Sequence, residues 1–63
     1  MVVYRYLLDG SYDNMYESYN SAARDSNSSP SNIRSATILG YCVKNLYYFS
    51  FIKSEKYDKA RSI

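Results

Sequence analysis

Histidine and tryptophan are absent from this chain of 63 residues, cysteine and proline occur once each, and glycine twice. Without histidine the usual general base near neutral pH is missing. The single thiol, Cys42, has no activating base beside it and lies in an apolar run, where a thiol is ordinarily inert packing. One cysteine excludes an internal disulfide, and without histidine it cannot complete a zinc site. Two glycines are too few for a phosphate-cradling loop. Asp9, Asp13 and Glu17 recur every four residues, but the alternating pattern of a calcium loop is lacking. They read instead as acids that complement a helix dipole. The expectation is a protein that is not an enzyme and carries no cofactor or metal.

A chain this short makes one domain, 1–63, and buries only about 60% of its unfolded surface. Disulfides, metals or partners commonly make up such a deficit. With the first two excluded, association remains, and a homo-oligomer or a chain that works bound to another macromolecule is expected. The net charge of +2 is too small to announce a nucleic-acid partner by itself. The first residues lack the basic flank and apolar run of a secretory signal. A lone free cysteine suits a reducing compartment, so a cytoplasmic protein is expected.

Tyrosine is what the chain has in excess. Nine Tyr and two Phe stand against eleven Leu, Ile and Val together. A buried tyrosine needs a partner for its hydroxyl, so the residue favours half-wet boundaries and is enriched in interfaces. Eleven Ser and five Asn give a second reading, the residue bias of an A- and T-rich genome such as many phages carry.

Along the chain, the "VVYRYLL" of 2–8 is β-branched and aromatic and reads as a strand. The stretch "DGS" then supplies a turn and helix caps. Tyr12, Met15, Tyr16, Tyr19, Ala22 and Ala23 fall at helical spacing, which predicts a helix over 11–25. The "SNSSPSN" of 26–32 holds nothing a core could use and reads as a mobile loop. Ser29 and Pro30, or Ser31, open the next element. Ile38, Leu39, Cys42, Leu46, Phe49 and Ile52 share one broad helical face, predicting a second helix over 31–56 with a frayed tail at 57–63. The competing reading makes 40–52 a β-hairpin around Lys44–Asn45, because nearly every residue there favours sheet. The fold class expected is therefore small and mainly α: a strand followed by two helices, in a homodimer, with α+β as the alternative.

Two surfaces compete for function. Tyr12, Met15, Tyr16 and Tyr19 form the first, a helix face whose rings pack on a partner protein while their hydroxyls reach its polar groups. Lys53, Lys56 and Lys59 form the second, spaced three apart around Tyr57, with Arg61 beyond. Glu55 and Asp58 are interleaved there, which halves the field. The window 33–52 is apolar enough to raise a membrane span, but Lys44 near its centre costs about 2.5–3.5 kcal/mol on insertion. A membrane partner is not expected.

The order strand, helix, loop, helix, together with "SPSNIRSATI" at 29–38, resembles the ribbon-helix-helix repressors. That resemblance implies an obligate dimer whose paired strands enter the DNA major groove. Arg5, with Val3 and Leu7, would then face bases, and Tyr4, Tyr6 and Leu8 the core. Of the three, only Arg5 can donate to a base edge. The leading expectation is a small inhibitor or adaptor that occludes a surface of a larger macromolecule. A dimeric DNA-binding repressor is the alternative.

Overall fold

The computed structural model describes residues 2–57. Within them the chain runs through strand β1 (Val3–Leu7), strand β2 (Tyr12–Tyr16), helix α1 (Tyr19–Asp25), helix α2 (Pro30–Leu39) and strand β3 (Tyr47–Ser50). The strands form one antiparallel sheet in the order β2-β1-β3, so the first strand is the central one. Its apolar character on both faces suits that place, because a central strand can be covered from both sides.

Side chains alternate across the sheet. Val3, Arg5, Tyr16, Tyr47 and Phe49 face the helices. Tyr4, Tyr6, Tyr12, Met15 and Tyr48 face the other way. Between Arg5 and Tyr6 the register with β2 slips, because Arg5 pairs with Asn14 while Tyr6 pairs with Tyr12. Asp13 is the extra residue of this bulge. The bulge turns Tyr12 and Tyr16 to opposite faces, although they are four residues apart.

The two helices pack on each other and on the inner face of the sheet. Ser18 caps α1 by accepting from the Ser21 amide, and Ser29 caps α2 by accepting from the Asn32 amide, with Pro30 in the first turn. The core joins Val3, Tyr16, Ala22, Ala23, Ile33, Ala36, Val43 and Phe49. Alanine at the helix crossing lets two short helices approach closely, and Phe49 fills the space they leave over the sheet.

The mainly-α expectation is overturned: the fold is small α+β, with three antiparallel strands in one sheet and two helices. The helix expected over 11–25 is β2 followed by α1. An i, i+4 pair lies on one face of a helix, and tyrosine also favours strands, so the spacing alone did not separate the two. The helix expected over 31–56 stops at Leu39. Gly40 takes the left-handed conformation (φ 78°) that ends helices, and its amide donates to the Ala36 carbonyl. Lys44 and Asn45 both have positive φ, at 55° and 56°, as a tight hairpin turn of the primed type requires. Val43 and Tyr47 are bridged across that turn. The hairpin reading of 40–52 thus holds at its turn, with a single bridge in place of the first arm.

Candidate functional site

Arg5 is the centre of the inner face. Its buried guanidinium meets the Asp13 carboxylate through Nε and Nη2, both at 2.6 Å, and approaches the Asp25 carboxylate at 3.6 Å. Nη1 also donates to the Ser26 hydroxyl at 3.1 Å, and the charge lies 4.1 Å from the centre of the Tyr47 ring. The bulge is what brings Asp13 onto this face. Ser26, expected in a mobile loop, is buried here as one of the partners. Tyr16 donates to Asp25 at 2.5 Å. Burial, and then that bond, push the Tyr16 phenol up to about 12, against the opposing pull of Arg5. This cluster ties β1, β2, β3 and the end of α1 together, and every hydrogen-bonding nitrogen of Arg5 points inward.

The outer face of the sheet is a layer of phenols. Tyr6 is fully buried there, with Tyr12 edge-on at 5.7 Å and Tyr4 at 6.3 Å from Tyr12. The segment 51–57 crosses this layer as a strap. The Tyr6 hydroxyl donates to the Ile52 carbonyl and accepts from the Ser54 amide, both at 2.9 Å. Beyond Tyr6 the strap reaches the free edge of β2. There the Tyr12 amide donates to the Glu55 carbonyl at 3.3 Å, and the Tyr57 amide donates to the Gly10 carbonyl at 2.6 Å. Tyr57 lays its ring on Tyr48, stacked at 4.5 Å, and beside Tyr6 at 5.7 Å. The Met15 amide is taken by the Asn14 side chain, so these two edge amides of β2 are already occupied.

Strap and hairpin leave an open cleft of about 520 Å³ between them, lined by Ser11, Tyr12, Lys53, Ser54 and Glu55. Lys53 places its ammonium 5.4 Å from the centre of the Tyr12 ring. The cleft therefore offers a half-exposed aromatic wall, one cation and one carboxylate. Of its two serines, Ser11 donates its hydroxyl to the Asp9 carboxylate and Ser54 to the Lys56 carbonyl. Among the described residues no group of His, Cys, Asp or Glu is placed to hold a metal ion.

The structure separates the four residues expected to share a helix face. Tyr12 and Met15 lie on the outer face of the sheet, whereas Tyr16 is buried against the helices and Tyr19 packs on the core. Of the basic residues, Arg5 is buried, Lys53 joins Tyr12 at the cleft, and Lys56 sits in the strap opposite Ser11. Lys59 and Arg61 lie outside the described residues. Tyr6, Tyr48 and Tyr57 were not singled out from the sequence as part of this surface. The alternation of Tyr4 and Tyr6 around Arg5 was the available signal, since it places both tyrosines on one face of a strand. No protein-family model, curated protein or solved structure matches this chain.

Both edges of β1 are occupied within one chain. The intermolecular β1–β1 ribbon implied by the ribbon-helix-helix resemblance has no free edge of β1 to form from. No helix among the described residues is long and apolar enough to cross a membrane.

Proposed function

We propose that this chain is a small non-enzymatic binding module that attaches to another protein through the cleft between its strap and the β1–β2 hairpin. The observation that carries this reading is the half-exposed Tyr12 ring with Lys53 beside it, in a chain whose other outer-face phenols are largely used in self-packing. Aromatic residues at the lip of a concave site are typical anchors of protein interfaces. The chemistry of the cleft suits a partner that inserts an acidic or aromatic side chain, the acid meeting Lys53 and the ring meeting Tyr12. A cytoplasmic setting belongs to the same reading, supported by the single free thiol, and so does action by occlusion of the partner's surface.

A protein partner is favoured over nucleic acid because Glu55 separates Lys53 from Lys56 in sequence and Arg5 is turned inward. The test is a photo-crosslinking residue in place of Tyr12, compared with one at the exposed Arg34 on α2. One dominant adduct at position 12, lost on Lys53→Glu and unaffected by nuclease, is the expected result. Equal labelling from both positions would sink the reading.

A further inference from the structure

All four leucines of this chain are on the surface. Leu7, Leu8, Leu39 and Leu46 are 39%, 57%, 65% and 54% exposed, while the interior is built from Tyr6, Phe49, Ile33, Val3 and Val43. A chain this short of aliphatic side chains has a use for every leucine it can bury, so their placement outside is informative. They also share one end of the molecule. Leu7 pairs with Tyr47, the neighbour of Leu46, and Leu8 follows Leu7 at the same end of β1. Leu39 ends α2 just before Val43, which is bridged to Tyr47. Together the four expose roughly 400 Å² around that end, within the range of the largest apolar patch on a typical monomer.

We propose that this leucine end is a twofold interface with a second copy of the same chain. Two observations select a copy over a foreign partner. First, the turns that flank the leucines carry opposite charges, Asp9 on one and Lys44 on the other, both exposed. An interface built on a twofold axis repeats each contact in reverse, so Asp9 of each chain meets Lys44 of the other twice over. Ser11 donates to the Asp9 carboxylate through both its amide and its hydroxyl, at 2.9 and 2.6 Å, and fixes its direction. Second, Ile38 and Tyr41 are exposed beside Leu39. Complete coverage of all six residues in both copies buries roughly 1,000 Å², the lower bound for a specific interface. The dimer is accordingly weak and dependent on concentration. The proposal does not rest on the function of the Tyr12–Lys53 cleft.

Sedimentation velocity from low micromolar to millimolar protein tests it. The wild-type chain is expected to pass from monomer to dimer, and Leu46→Lys to remain monomeric with its thermal melt unchanged. Asp9→Lys and Lys44→Asp each place like charges in contact, so each alone is expected to dimerise at least tenfold more weakly. An equal mixture of the two restores both attractive contacts, and a mixed dimer forms. Wild-type chain that stays monomeric throughout, or a dimer indifferent to Leu46→Lys, overturns the proposal. So does a mixture that associates no better than its components.

Discussion

Removing Asp13 should harm this fold more than removing Arg5, although Arg5 is the buried partner. The side chains of Arg5, Asp13 and Asp25 are 9%, 28% and 59% exposed. In Asp13→Ala the guanidinium stays in the interior with only the more distant Asp25 to balance it. Breaking a fully buried pair from one side costs about 3–5 kcal/mol. The Ser26 hydroxyl and the Tyr47 ring remain as partners, so we expect about 2–3 kcal/mol here. In Arg5→Met the interior keeps an unbranched side chain of similar length, Asp13 turns to water and Asp25 keeps its bond from the Tyr16 hydroxyl, so the expected loss is below about 1 kcal/mol. The total stability of such a chain is on the order of 3–9 kcal/mol. Asp13→Ala should lower the melting temperature by about 10–20 °C, given 4–8 °C per kcal/mol at this size. Urea unfolding of both single variants and the double variant gives the coupling. Adding Asp13→Ala to Arg5→Met is expected to cost almost nothing. An Arg5→Met loss as large as that of Asp13→Ala would refute the reasoning, because it would mean that packing by the arginine stem outweighs its charge.

Tyr6→Phe removes the hydroxyl that holds the strap at Ile52 and Ser54 and is expected to cost about 1–2 kcal/mol. Hydrogen exchange at Ser54 and Tyr57 should quicken well before that of β1. Tyr16 binds its proton more tightly folded than unfolded, so its contribution is complete below pH 10 and is lost as pH rises towards 12. The loss is on the order of 1 kcal/mol, given the solvent around Asp25. Denaturant midpoints across that range should fall in the wild-type chain and fall less in Tyr16→Phe. Asn45→Gly relieves the positive φ at the β3 turn and should stabilise by a few tenths of a kcal/mol, whereas Gly40→Val should destabilise by about 1 kcal/mol or more. Thermal melts separate the two.

The elements that local chemistry dictates were legible. The strand at 3–7 follows from its β-branched and aromatic run, the start of α2 from Ser29 and Pro30, and the turn at Lys44–Asn45 from its polar pair between sheet-forming stretches. Misreadings arose where one spacing served two structures. Tyr12 to Ala23 satisfied a helical stripe throughout, yet the open edges of β1 required strands, and 12–16 supplied one of them. A bulge then sent Tyr12 and Tyr16 to opposite faces, which no local pattern reports. The ribbon-helix-helix resemblance faces Arg5 toward DNA bases, whereas the fold buries it. Its counter-charges, Asp13 and Asp25, come together only through the bulge and the end of α1. The cleft depends on the strap 51–57, and a charged, apparently helical end gave no sign that it would cross back over the sheet.

The order β2-β1-β3 also governs the path by which the sheet is made. The β1–β2 hairpin closes through a short turn, on a timescale of about 1–10 μs. Tyr4 must then wait for Ser50, nearly the whole chain away, and that longer closure is delivered by the two helices. In the interval the hairpin has an open edge made of Val3 to Leu7, among the most sheet-prone segments of the chain. Such an edge invites pairing with other unfinished molecules. Arg5 stands at its middle. A charge there makes capture by a foreign apolar strand costly, while the native partner brings the Tyr47 ring and docks beside carboxylates that neutralise it. The arginine that looks like an extravagance in so small a core thus also sets a charge in the middle of the edge that closes last.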